Sequence, residues 1–211
     1  MPISVSEVLT RVAIVLQDEE HVRWTEEELI LWLNDAASEI VIRRPAARAI
    51  TEELTLEEGP FQELPEGAVQ LLDVVRNIPG RSISRVMRRL LDDQFSDWYV
   101  LSPAKTKAIK HYTLDDDTPT QFYVYPPAKA GLKVEVKYSC APPKATSPAD
   151  MLDLDRAYIG PLVSYMLYRC HAKDSEYANG AVALAHFQAF SEALGTQNAV
   201  SAAETQKAGT E

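Results

Sequence analysis

Residues 24–33, Trp24-Thr25-Glu26-Glu27-Glu28-Leu29-Ile30-Leu31-Trp32-Leu33, set the architecture of this chain. Thr25 and Glu28 stand at capping-box spacing, where each side chain can satisfy an orphan amide at a helix start. Trp24 and Leu29 hold the two positions of a hydrophobic staple, and Glu26 and Glu27 complement the positive end of the helix dipole. Leu29, Trp32, Leu33, Ala36 and Ile40 then fall on one face at helical period. Pro45 stops this helix or lies just past its end. One apolar face must be buried, which asks for partner elements elsewhere in the chain.

Three other segments carry the same period. Ser4 to Leu16 places Val5, Val8, Leu9, Val12 and Leu16 on one face, with Ser4 and Glu7 at capping-box spacing. From Asp153 onward, two apolar-faced helices flank a polar hinge, Lys173-Asp174-Ser175. The first presents Ile159, Leu162, Val163, Met166 and Cys170, with Asp153 or Asp155 placed to cap it. Its Gly160-Pro161 pair requires a start near Tyr158 or a kink, because proline is tolerated only in a first turn. The second, Ser175 to Leu194, presents Ala183, Phe187, Phe190 and Leu194. Asn179-Gly180 weakens its first turns by roughly 1 kcal/mol, and Gly195 is placed as its stop. Beyond Gly195 the chain is small and polar, a composition that orders only against a partner.

Between the helices the period changes to two. Ile50, Leu54 and Leu56 alternate with acids before a Gly59-Pro60 turn, and Phe61 to Leu64 and Val69 to Val75 are further strands. Ile83 to Gln94 reads as a strand and a short helical turn, and Ser102 to Lys107 as an exposed loop. Ile109 to Leu114, Gln121 to Tyr125 and Leu132 to Cys140 are stronger strands, the second stopping at Pro126-Pro127. The third alternates Leu132, Val134, Val136 and Tyr138 against Lys133, Glu135 and Lys137, the mark of a sheet with one wet face. Pro142-Pro143 to Pro148 is a stiff linker back to helix. The predicted fold is α+β. It comprises a four-helix bundle of two N-terminal and two C-terminal helices (residues 1–48 and 150–195), an inserted antiparallel β-rich block with loops (49–149), and an extended, partner-binding C-terminal tail (196–211).

The 211 residues carry 31 acids against 21 bases, net −10. That balance argues against a free-standing nucleic-acid binder, whose affinity comes from counterion release on phosphates. Cys140 and Cys170 are too few and too isolated for a disulfide framework or a zinc site and read as buried, reduced thiols. The N-terminus has no cationic start followed by a long apolar run, so no signal peptide is expected. No segment reaches the ~20 apolar residues of a membrane helix, so no membrane partner is expected. His21, His111, His171 and His186 fall in no metal-binding spacing, although His171 and His186 lie on opposite arms of the C-terminal pair and can face each other. Asp115-Asp116-Asp117 lacks the alternating ligands and glycine of a calcium loop. Nucleophile elbow, phosphate-cradling glycine loop and HExxH are all missing from the sequence. No catalytic residue, metal or cofactor is therefore expected.

One reversal of sign stands out: Arg76, Arg81, Arg85, Arg88 and Arg89. It reads as a solvated strand face, as contact with an acidic patch on a neighbouring subunit, or as nucleic-acid contact. Trp98, Tyr99, Tyr123, Tyr125 and Tyr138 read mainly as sheet packing, with some placed to anchor an interface.

Several segments recur in a telling order. They are Trp24-Thr25-Glu26-Glu27-Glu28-Leu29, Leu71-Leu72-Asp73-Val74-Val75-Arg76-Asn77, Leu90-Leu91-Asp92 with Trp98, and Phe122-Tyr123-Val124-Tyr125-Pro126-Pro127. Leu162 to Arg169 follows with Lys173-Asp174, Glu176-Tyr177-Ala178, Phe187, Phe190, Leu194 and Gly195. Over residues 4–195 this pattern resembles the head-to-tail connector (adaptor) proteins of short-tailed bacteriophages. The resemblance implies a non-catalytic virion protein, assembled in the host cytoplasm, that forms a ring, typically of twelve copies, between the portal and the tail nozzle. It implies that the helical bundle builds the ring, that the β block and loops face the nozzle, and that the C-terminal segment reaches the portal. The small apolar set Ala199, Val200, Ala202 and Ala203 is then the portal-binding element. Ring closure by a heterologous interface makes the Arg76–Arg89 stretch a candidate subunit contact. Twelve copies at net −10 each carry −120 formal charges, a bore through which duplex DNA passes without being gripped. Two other readings stand beside this one: a small hydrolase-like enzyme with His111 and Asp115–Asp117 in a pocket of the β block, and a cytosolic protein-binding module.

Overall fold

A computed structural model of the chain describes residues 2–100, 106–114, 117–173 and 178–208. The chain divides into two units, a helical one (Met1–Ala47 with Pro142–Glu211) and a β one (Arg48–Ala141). The helical unit contains β1 (Ile3–Ser4), α1 (Val5–Leu16) and α2 (Glu26–Arg43), and, from the far side of the chain, β9 (Met151–Leu152), α4 (Ile159–Ala172) and α5 (Gly180–Ala208). The β unit contains β2 (Ala49–Thr55), β3 (Gly59–Glu63), β4 (Ala68–Ile78), β5 (Ser84–Arg85), α3 (Arg88–Gln94), β6 (His111–Leu114), β7 (Gln121–Ala128) and β8 (Lys133–Cys140).

The fold is α+β, but it is not the expected four-helix bundle with an extended tail. The described residues form five α-helices and nine strands in three sheets. One helix, α3, belongs to the β unit, and a two-stranded antiparallel ribbon, β1–β9, lies in the helical unit. The third departure is at the C-terminus. The backbone of residues 196–208 continues α5, whose 29 residues run straight through Gly195 against 14 in α4. A lone glycine costs a helix only about 1 kcal/mol, and the Ala, Gln, Glu and Lys around it favour helix, so Gly195 does not stop it.

In the helical unit α4 is the central helix, packed by α1, α2 and α5. It begins at Ile159, directly after a 3-10 turn (Arg156–Tyr158) in which the Asp155 carboxylate accepts from the Ala157 amide at 2.9 Å. Pro161 therefore sits in the first turn. Leu162, Met166 and Cys170 are fully buried, and burial pushes the Cys170 thiol up to about 12, so it stays protonated at neutral pH. On α5, Asn179 caps the start: its side chain accepts from Val182 at 3.2 Å and its carbonyl from Ala183 at 2.9 Å. The Asn179-Gly180 pair is thus a boundary rather than a weak interior, and Asp174 and Ser175 of the expected hinge lie outside the described residues. Tyr165 meets Phe190 and Tyr168 meets Phe187 at 5.2 and 5.1 Å between ring centroids. Arg43 of α2 lies over both phenylalanines.

The N-terminal helices show how caps are settled by context. At α2 the Thr25 hydroxyl accepts from Glu28 N at 3.3 Å and the Trp24–Leu29 staple is buried, but the Glu28 carboxylate goes to Lys173 at 2.8 Å instead of back to Thr25. At α1 the Ser4–Glu7 box does not form. Val5 and Ser6 donate to the carbonyls of Asp150 and Pro148, both at 3.1 Å, so the first amides need no side-chain cap. Glu7 pairs with Arg156 at 2.8 Å and Arg11 at 3.0 Å. Between α1 and α2 the chain turns in an elbow. Gln17, in the left-handed region (φ 54°), closes α1. The buried Asp18 carboxylate then accepts from the amides of Val22, Arg23 and Trp24 at 2.9, 2.9 and 3.1 Å. Burial opposes its ionisation, but the three amide donors win and hold it below the usual carboxylate range.

In the β unit, β8 is central to the sheet β2-β8-β4, antiparallel on both sides, and a second sheet runs β3-β7-β6-β5 with β5 parallel to β6. Val134, Val136 and Tyr138 point to the core that also holds Leu71, Val74, Tyr112, Phe122 and Val124. β7 does not stop at Pro126-Pro127 but runs to Ala128.

Trp32 is buried in the helical core. Trp32→Ala is expected to cost about 3–5 kcal/mol in a urea melt, with a loss below about 1 kcal/mol placing it at the surface. Asp18→Ala orphans three amides and is expected to cost about 2–4 kcal/mol. Because the folded Asp18 carboxyl is depressed, its stabilisation is complete above the unfolded-state value and is lost as pH falls through the folded one. Melting temperature against pH should therefore show a shallower acid limb in the variant.

Candidate functional site: two basic surfaces on the β unit

The five arginines singled out in the sequence do not form one surface. Arg76 lies on β4 opposite Glu135 of β8. Its guanidinium donates two hydrogen bonds to that carboxylate, at 2.9 and 3.2 Å, which holds Glu135 below the usual carboxylate range. This cross-strand pair occupies Arg76 within its own sheet.

Arg81 lines an open groove of about 1070 Å³. One wall is the turn after β4, with Asn77, Gly80, Arg81 and Ser82, and the other is the segment 106–111 with Pro126. Lys107 and Lys110 bring two more cations, and among the described residues no carboxylate lines it. Asn77, 6% exposed, ties the walls together. Its Nδ2 donates to the Arg81 and Ile109 carbonyls at 3.0 and 2.9 Å, and its Oδ1 accepts from the Ile109 amide at 2.8 Å. Gly80 has φ +155°, and a Cβ there would come within 3.3 Å of the Asn77 Cβ, so glycine suits the turn. His111 stacks on Tyr125 with centroids 6.2 Å apart, and its Nδ1 is buried with no hydrogen-bond partner among the described residues.

Arg85, Arg88 and Arg89 surround a second cleft, of about 650 Å³, with Val86, Met87, Thr113, Leu114 and Asp117. Arg88 lies over the rings of Tyr123 and Tyr99 at 5.3 and 5.8 Å and reaches Asp92 at 3.9 Å. Beneath it Trp98 is fully buried, stacks on Tyr99 at 3.8 Å and donates from Nε1 to Asp92 at 2.9 Å. Phe61 packs on Tyr123 and Phe95 on Tyr125, a use of these phenylalanines that the sequence pattern does not reveal. Beside the arginines, Met87 and Val100 are 75% and 80% exposed, and Leu90 is also exposed. Tyr138 stands apart, donating to Glu52 at 2.6 Å.

His171 and His186 do meet, in parallel stacking with centroids 5.8 Å apart, and burial together with the His171 charge pushes His186 below its usual value. Among the described residues no group of three or more His, Cys, Asp or Glu is placed to hold a metal, and no helix is long and apolar enough to cross a membrane. Asp115 and Asp116 lie outside the described residues. Ala199, Val200, Ala202 and Ala203 fall in the helical backbone of α5.

Open grooves with basic rims, an aromatic-backed arginine and large exposed apolar side chains are the features of a structural protein that works through its surfaces. The chain belongs to the SU10 adaptor protein family, whose model matches residues 3–210. It is a phage structural adaptor, a component of the virion, as its resemblance to phage head-to-tail adaptors implies. No curated protein matches the chain.

Asn77→Ala removes the tie between the groove walls and leaves both polar groups of Ile109 without their partner. It is expected to cost about 2–4 kcal/mol, read in a thermal or urea melt. A loss below about 0.5 kcal/mol would show that the walls stand independently.

Proposed function

We propose that this adaptor acts as a ring, typically of twelve copies, between the portal and the tail nozzle, forming a conduit for genome passage. The observation that carries the reading is the family match over residues 3–210, nearly the whole chain. The charge distribution supports it. The helical unit holds 17 acids and 9 bases, net −8, whereas the β unit holds 14 and 12, net −2. A subunit with one strongly acidic part and one part bearing basic grooves suits the heterologous contacts that close a ring. The same net charge keeps duplex DNA in the bore from adhering.

In this reading residues 1–48 and 150–195 build the ring and residues 49–149 face the nozzle. Arg81, Arg85, Arg88 and Arg89, with the exposed Met87, Leu90 and Val100, contribute to contacts between neighbours, while Arg76 acts through its strand pair with Glu135. The end of α5, with Ala199, Val200, Ala202 and Ala203, docks to the portal. Docking at many ring-related sites gains from avidity that a single copy lacks. Assembly takes place in the host cytoplasm.

The test is the mass of the purified chain, alone and mixed with its cognate portal. A ring-sized or portal-dependent oligomer is expected, and a monomer indifferent to portal would reject the reading. Truncation after Gly195 is expected to leave the melting temperature within a few degrees and to abolish portal docking. Unchanged docking would reject the role given to the end of α5.

A further inference from the structure

The groove lined by Arg81, Lys107 and Lys110 and the elbow between α1 and α2 are complementary in charge and in character. The groove presents three exposed cations with Ala108 and Pro126 between them, and among the described residues no carboxylate lines it. His111 also lines it, and its Nδ1 is buried with no hydrogen-bond partner among the described residues. The elbow presents exposed Glu19, Glu20, Glu26 and Glu27, outnumbering Arg23. Between the acids Val22 projects, 76% exposed. The elbow is not a loose loop, because the Asp18 carboxylate clamps the amides of Val22, Arg23 and Trp24 from within. A clamped segment is already ordered before it docks, so little conformational entropy is lost on binding.

We propose that the groove takes the acidic elbow, residues 17–27, of a second copy of this chain. The assignment rests on the ring reading above and names one contact of that ring. Glu19 and Glu20 face the cations of the groove, and Val22 seats against Ala108 and Pro126. The elbow belongs to the −8 unit and the groove to the −2 unit, so the contact joins two different surfaces, as a heterologous head-to-tail series requires. A phosphate backbone is the less suitable occupant. The groove offers carbon surface between its cations, which a side chain such as Val22 uses and a phosphate does not, and the net −10 of the chain repels a polyanion.

Charge exchange tests this on the full-length chain, by sedimentation velocity at low and moderate salt, with a thermal melt confirming that each variant folds. Arg81→Glu with Lys107→Glu, and separately Glu19→Lys with Glu20→Lys, are each expected to weaken self-association at least about tenfold. Mixing the two variant proteins matches both contacts between unlike copies and neither between like ones, so the mixture should recover association in alternating order. Combining all four changes in one chain restores every contact, so that chain should recover association as well. Rising salt should weaken the wild type. A four-fold variant no better than its parents, or an elbow reversal that leaves association unchanged while the groove reversal breaks it, overturns the elbow as occupant. A groove reversal that abolishes retention of a duplex DNA fragment and leaves association intact assigns the groove to phosphate and overturns the proposal. A ring that survives both reversals refutes this contact alone, whereas a wild type that never self-associates, either alone or with the cognate portal, refutes the ring reading and the contact with it.

Discussion

Burial of α4 is the constraint on which the helical unit depends. Its apolar residues, Ile159, Leu162, Tyr165, Met166, Leu167 and Cys170, cover more than one face, so one partner helix cannot dry it. α1, α2 and α5 each take a side, and the charged residues of α4 and its C-cap then fall at the seams: Arg169 reaches Asp35 at 2.9 Å, and Lys173 reaches Glu28 at 2.8 Å. These exposed pairs add little stability individually. They fix which helix lies beside which, and the aromatic contacts of Tyr165 and Tyr168 set how α5 leaves the core.

The β unit answers a different need. Its strands bury Leu71, Val74, Phe122, Val134 and Val136 in one layer, and polar contacts stand at its margins. Tyr112 donates to Asp73 at 2.8 Å, and burial with that bond pushes its phenol up to about 12. Asn77 performs the equivalent service at the groove. Both are polar groups that hold segments in place, Tyr112 by joining β6 to β4 and Asn77 by fixing the turn that carries Arg81.

What was legible in the sequence was local. α2 could be read from Thr25, Trp24, Glu28 and Leu29 because its start signals act within five residues, and β8 from alternation that its burial repeats. What escaped depends on distant partners. Ser4 has a capping partner in Glu7, yet the carbonyls of Pro148 and Asp150 take its place. Arg76 looks like one of five surface arginines until β8 sets Glu135 opposite it. Lys107 and Lys110 come beside Arg81 through long-range bonds, from Asn77 to Ile109 across 32 residues of chain and from the Ser84 amide to the Lys110 carbonyl. Asp18 gives no periodic signal, since its partners are backbone amides in a turn. Gly195 reads as punctuation, yet the helix formers around it outweigh it and α5 runs through. The expected bundle with an extended tail gives way to α3 in the β unit, the β1–β9 ribbon in the helical unit and an α5 that continues through residues 196–208.

The uninterrupted course of α5 has a geometric corollary. From Gly195 to Ala208 the backbone adds about 20 Å at the α-helical rise. Unlike a slack thread, a rod of this kind fixes the azimuth of its tip as well as its distance from the root at Phe190 and Leu194. Each residue gained or lost moves the tip by about 1.5 Å and swings it by about 100°. Changes of length near a whole pitch preserve its bearing, and others aim it elsewhere.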